Sequence, residues 1–175
     1  MTRHRTWFAL LLLIAPAVAS AEDDVKFGPL KAAPPAGWKA FPSDDPEVVR
    51  AFRLEPALND KYPTTVTANR LPKRDTAEAF VKHWAGQFVP TEDVAPKDFG
   101  KPTTFEVAET KVTYLDIRGV FRPDPKNTAS IRSDTRILAA YFDTKDGPYA
   151  IRILGPASSV ESYRKEFLAW VKAFH

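Results

Sequence analysis

"DGPYAIRILGPASSVESYRKEFLAWVKAF", residues 146–174, changes its hydrophobic period halfway along, and that change decides the fold. Tyr149, Ala150, Ile151, Ile153 and Leu154 make a short apolar run suited to a strand. Asp146-Gly147 ahead of it supplies the positive φ of a tight hairpin turn. Gly155-Pro156 should then break the ladder, ending the strand at Leu154. Ser158 with Glu161 three residues later has capping-box spacing. Val160, Tyr163, Phe167, Trp170, Val171 and Phe174 recur on one helical face. The reading is a strand that delivers the chain into a helix over 158–174, which lies back across the sheet just completed. At about 1.5–3 kcal/mol per large buried side chain, that stripe makes the helix the lid of the core.

Working outward, Thr135 to Phe142 ("TRILAAYF") is apolar on both alternating sets, as expected for a central strand covered on both faces. Thr103 to Val107 and Lys111 to Phe121 read as two more strands, joined as a hairpin at Glu109-Thr110. Between this pair and the central strand lies an irregular stretch, "RPDPKNTASIRSDT", residues 122–135. Further upstream, "DTAEAFVKHWAGQFV" predicts a helix over 75–88, with Asp75 as N-cap and Glu78 completing a capping box. Ala77, Val81, Trp84 and Phe88, with Phe80 beside them, form its apolar face. "PTEDVAPKDFGKP" is punctuated as a loop. Trp38 to Phe41, Val48 to Glu55 and Thr64 to Leu71 complete the strands. The fold class is therefore α+β, an α/β/α sandwich with one mainly antiparallel sheet and two main helices.

The first residues, "MTRHRTWFALLLLIAPAVASA", carry Arg3 and Arg5, an apolar run, then small residues at Ala19 and Ala21. That is the pattern of a secretory signal peptide, residues 1–21, cleaved after Ala21. The run is shorter than the roughly 20 apolar residues a bilayer requires, and Pro16 interrupts it. Residues 22–36 are acidic and then proline-rich, and are expected to be a flexible N-terminal arm. Residues 37–175 form a single domain. The expectation is an exported protein, periplasmic or secreted, soluble and monomeric after cleavage, with no membrane span. Lys and Arg total 25 against 22 Asp and Glu, a formal charge of +3. Without Arg3 and Arg5 the excess falls to +1, so no concentrated basic face is expected and no nucleic-acid partner. There is no cysteine, which an oxidising compartment allows in a domain of this size.

The phrase "GPYAIRILGP", the capped helix ending "FLAWVKAF", the early Gly37-Trp38 and the "TAEAFVKHWAGQF" helix resemble the PsbP-like fold group. That group includes an extrinsic photosystem II subunit, a Ran-binding nuclear import factor and many uncharacterised exported bacterial proteins, to which the likeness is strongest. The resemblance runs from about Gly37 to Phe174. It implies an α/β/α sandwich and accessory or binding roles without catalysis. It transfers no functional residue, because no position here matches a site of those relatives.

The chemistry legible in the chain is sparse. Cysteine nucleophiles are excluded. Of the three histidines, His4 falls in the leader and His175 is terminal, so a Ser/His/Asp triad would have to use His83, which reads as a surface or half-buried helical residue. Zinc needs several His or Cys ligands at short spacing, and these are lacking. The acidic pairs Asp23-Asp24, Asp44-Asp45 and Glu92-Asp93 do not have the spacing of a calcium loop, so neither metal nor cofactor is expected. Asp116 and Arg118 share a strand face and suggest a cross-pleat ion pair. The candidate binding patch is Arg118, Arg122, Lys126, Arg132 and Arg136, on the irregular stretch and its flanks, facing an anionic ligand or protein partner. The function expected is a non-enzymatic binding or adaptor protein of the bacterial cell envelope. The alternatives are a carrier of a small apolar ligand between sheet and helix, and a carboxylate-dependent hydrolase. A carrier requires an internal cavity, and an enzyme a cleft where titratable groups converge.

Overall fold

A computed structural model describes residues 24–57, 60, 62–91 and 99–175. The predicted leader, Asp23 and the pair Glu92-Asp93 lie outside them. Among the described residues ten strands and two helices follow in the order β1 (Val25–Phe27), β2 (Leu30–Ala32), β3 (Lys39–Phe41), β4 (Val48–Leu54), β5 (Thr64–Arg70), α1 (Ala77–Gly86), β6 (Phe88–Val89), β7 (Thr103–Val107), β8 (Thr110–Phe121), β9 (Arg132–Thr144), β10 (Gly147–Pro156) and α2 (Ala157–Lys172). β1 and β2 form a separate hairpin. The others make an eight-stranded sheet ordered β3-β4-β5-β10-β9-β8-β6, with β7 also paired to β8. Its pairings are antiparallel throughout.

The layers follow the predicted α/β/α order. α2 packs on β9 and β10, and its Val160, Phe167, Trp170 and Val171 are buried against Leu138, Ala140, Phe142, Ile151 and Ile153. On the opposite face Phe80 and Trp84 of α1 meet Leu115, Ile117, Ile137, Ala139 and Tyr141. β9 is thus buried on both faces from Ile137 to Phe142, as its doubly apolar sequence requires.

β10 does not end at Leu154. Gly155 pairs with Arg136 and Pro156 with Thr135, so the ladder continues to the first turn of α2. Gly155 serves close approach here: a Cβ at this position would stand 2.4 Å from Thr64 Oγ1 and 3.0 Å from Thr64 Cα on β5. Ser158 is not the cap of α2 either. Pro156 occupies the N-cap position without a side-chain bond, and Asp60, remote in sequence, accepts from the hydroxyls of Ser158 (2.8 Å) and Ser159. Those bonds hold the Asp60 carboxyl below its ordinary pKa. On α1 the cap is Thr76, one residue after the predicted Asp75, accepting from Ala79 N at 3.1 Å. α1 ends at Gly86, and Phe88 belongs to β6. The β7–β8 turn lies at Ala108-Glu109, both at positive φ (44° and 63°), the twist that a two-residue hairpin favours.

The largest correction concerns the expected flexible arm, residues 22–36. Val25, Phe27, Leu30 and Ala32 are buried, in the alternating pattern of two strands around Gly28-Pro29. Phe27 stacks on Tyr149 at 4.8 Å and on Phe174 at 5.0 Å, and meets Phe142 edge-on at 5.2 Å. Each such ring pair adds about 0.5–1.5 kcal/mol to the gain from burial. Lys31 N donates to His175 O at 3.0 Å and His175 N to Lys31 O at 3.1 Å, so the last residue pairs with β2. This hairpin closes the open end of the α2 layer.

Candidate functional site

α1 covers only part of its face of the sheet, reaching β6, β8 and β9. The faces of β5 and β10 beside it are polar and partly exposed: Thr65, Thr67 and Asn69 alternate with the buried Val66 and Ala68. Along the flank of α1 a cleft of about 430 Å³ opens, lined by Asp45, Glu47, Asn69, Leu71, Asp75, Phe80, His83, Trp84, Ala150 and Arg152 among others.

Arg152 is the distinctive residue. It projects from β10 directly opposite Thr67 of β5. Its Nε donates to Thr67 Oγ1 at 2.9 Å, and its guanidinium carbon lies 4.8 Å from the centre of the Trp84 ring. None of the ion pairs among the described residues includes it. Burial draws its pKa below the ordinary value, and the more distant Asp45 carboxylate opposes that shift. A guanidinium stays charged even so. Desolvating it costs free energy that one hydroxyl and one ring only partly offset. The result is a rigid, incompletely satisfied donor fork at the floor of a cleft.

The remaining walls differ in kind. Trp84 and Phe80 give an aromatic side, 6.4 Å apart between ring centres and edge to face. Tyr141 Oη donates to Asp75 O at 2.9 Å, tying the start of α1 to β9. Burial pushes the Tyr141 hydroxyl up to about 12, helped by the charges of Asp143 and Asp75. His83 is exposed, as its sequence context predicts, with Nε2 3.0 Å from the Gln87 amide nitrogen. Asp45 turns its carboxylate back on its own loop, accepting from Glu47 N at 2.9 Å. No group of three or more His, Asp or Glu side chains among the described residues could hold a metal ion. The acidic residues line the cleft without meeting.

The five basic residues expected to form one patch are divided. Arg136 is engaged deeply: Nε and Nη2 donate to the two oxygens of Asp116 at 2.7 and 2.8 Å, and Nη1 reaches Glu161 on α2. Asp116 therefore pairs with Arg136 and not, as expected, with Arg118. Arg118 bonds instead to Asp134 at 2.8 Å on the exposed surface. Arg132 lies over the Tyr62 ring at 5.3 Å. Arg122 and Lys126 are exposed, on a loop built by an Asp124 turn and a 3-10 turn at Thr128–Ser130. The structure thus leaves Arg122 and Lys126 presented to solvent and uses Arg136 to lock α2 onto the sheet. The cleft was missed because its lining comes from four separate stretches. Its one sequence signal is a charged residue, Arg152, inside the otherwise apolar "AIRIL".

Among the described residues no helix is long and apolar enough to cross a membrane. No protein-family model matches the chain, and no curated protein matches it. Among solved structures it is similar to the solution structure of cyanobacterial PsbP (CyanoP) from Synechocystis sp. PCC 6803. There the TM-score is 0.51 and the identity 14%, over 95% of this chain and 97% of that one. A protein of unknown function from Pseudomonas aeruginosa gives a TM-score of 0.46 at 8% identity, over 77% and 94%. A likeness that spans nearly the full length of both chains shows that this protein has the PsbP-like fold.

Proposed function

We propose that the protein is an exported, non-enzymatic binding or adaptor module of the bacterial cell envelope, and that the cleft beside α1 is its recognition site. Arg152 is the observation that carries this reading: a desolvated fork, held still by Thr67 and Trp84, with no carboxylate at ion-pair distance among the described residues. Such a fork suits a carboxylate supplied from outside, which it can grip through two parallel hydrogen bonds. The acidic residues at the cleft mouth favour a positive group beside that carboxylate, as in an amino acid or a peptide end.

Geometry argues against the alternatives. The space between α2 and the sheet is filled by rings, among them Trp38, Phe52, Phe142, Phe167 and Trp170, which leaves little room for the apolar cargo of a carrier. Titratable groups do line the cleft around His83, but its ring faces the Gln87 amide and not an orienting carboxylate.

The test is affinity capture from envelope extract, followed by titration of the captured ligand or peptide into Arg152→Met and into the Arg122→Ala/Lys126→Ala double variant. Arg152→Met is expected to weaken binding about 10-fold or more, with stability unchanged or slightly higher, because it removes a buried charge. The double variant is expected to bind normally. Equal affinity in Arg152→Met and wild type would overturn the assignment of the cleft.

A further inference from the structure

A second depression, about 360 Å³ in volume, lies on the opposite face of the sheet, between α2 and the edge strand β7. Its lining comes from two regular patterns. Lys101, Thr103 and Phe105 fall at alternate positions leading into and along β7, while Arg164, Leu168 and Lys172 recur every fourth residue down α2. Tyr114 and Asp116 of β8 face the same space, with Tyr114 paired in register to Thr103.

Tyr114 is only 8% exposed, and its hydroxyl has no partner at normal hydrogen-bond geometry, only a loose approach from the Arg164 guanidinium. Buried hydroxyls are nearly always satisfied, so an orphan that faces a depression points to a group the protein itself does not supply. Burial, with the Asp116 charge, pushes this hydroxyl up to about 12, while Arg164 and Arg136 pull the other way. It is therefore a neutral donor at physiological pH.

The charges around it do not balance. Asp116 is gripped by Arg136, which also bonds Glu161, and Arg164 Nε stands 3.3 Å from Asp116 Oδ2. Counting Lys101 and Lys172, four cations face two carboxylates, which leaves two positive charges without a partner in the cluster. Lys172 lies 5.5 Å over the Phe105 ring, and Leu168 supplies apolar wall. We propose that this depression binds a dianionic phosphate group carried on a small, partly apolar organic molecule. The phosphate accepts from Tyr114, Arg164 and the two lysines, and the apolar portion lies along Phe105 and Leu168.

The experiment titrates inorganic phosphate and phenyl phosphate into the protein at low ionic strength, following backbone amide shifts. Saturable shifts confined to residues 101–105, 114–116 and 164–172 are expected, with phenyl phosphate binding more tightly than inorganic phosphate. Arg164→Gln and Lys172→Gln are each expected to weaken binding about fivefold, as loss of a charge-assisted hydrogen bond does. Tyr114→Phe keeps the ring and removes only the orphan hydroxyl, so it should bind phenyl phosphate less tightly without lowering the melting temperature. A purely structural tyrosine would leave the affinity unchanged. Shifts that do not saturate, that spread over the whole basic surface, or that survive all three substitutions would overturn the proposal. So would tighter association with phosphatidylglycerol/phosphatidylcholine vesicles than with phenyl phosphate, which would assign the phosphate to a membrane surface. Arg152→Met leaves this site intact and separates it from the α1 cleft.

Discussion

On one face of the sheet α2 runs across β9 and β10, the β1–β2 hairpin fills the corner beside it, and the Trp170 ring lies within 6.0 Å of those of Trp38, Phe52 and Phe174. On the other face α1 is only ten residues long and leaves β5 and half of β10 beside it uncovered. The same sheet therefore has one face sealed by aromatic packing and one that stops short, ending in a charged fork. Sealing stabilises the fold. Stopping short leaves polar backbone neighbours, Thr67 and Asn69, to line a cleft in place of a core.

If that contrast is right, the costs of substitution should follow it. Trp170→Ala on the sealed face should lose about 3–5 kcal/mol, since it empties a site ringed by Trp38, Phe52 and Phe174. Chemical denaturation would measure it. Gly155→Ala should cost about 1–3 kcal/mol by forcing β10 off β5. The blocking atoms include the Thr64 backbone, which cannot rotate away, so a thermal shift within error of wild type would contradict the close approach.

The two tyrosines sharpen the comparison, since both hydroxyls are raised to about 12 but only that of Tyr141 has a partner at normal hydrogen-bond geometry. Tyr141→Phe gives up its bond to Asp75 O and should lose about 1 kcal/mol, whereas Tyr114→Phe should be neutral or slightly stabilising. Both rings also predict the alkaline limit. An unfolded tyrosine ionises near pH 10, while these stay protonated until about 12. Their contribution is therefore complete below pH 10 and is lost as pH rises from 10 to 12. Denaturation midpoints measured across that window should fall, and less steeply in the double phenylalanine variant.

Much of the sealed face was legible in the sequence. The switch from the period-two run of β10 to the stripe Val160, Tyr163, Phe167, Trp170 and Phe174 is local, and local patterns survive folding. The hairpin at residues 25–32 was not recognised because a pair of three-residue strands has no stability of its own. It exists through Phe174, Tyr149 and His175, more than a hundred residues away. Capping failed for the same reason at α2, where Ser158 donates its hydroxyl to Asp60, remote in sequence, and caps nothing. The candidate patch was half legible: the basic residues are there, but proximity in sequence could not tell that Arg136 is spent on Asp116 and Glu161. The cleft required knowing that the flank of α1 lies beside β5, β10 and the loop of Asp45, and no single stretch encodes that.

The pairing of β2 with His175 also sets a schedule. β1 and β2 can pair with each other at once, but their bonds to His175 wait for the end of α2, and β5 has to wait for β10. Long-range pairing of this kind delays closure of the sheet until β10 and α2 have been made. A chain built this way closes its core late, and β3, β4 and β5 have only each other to pair with until then.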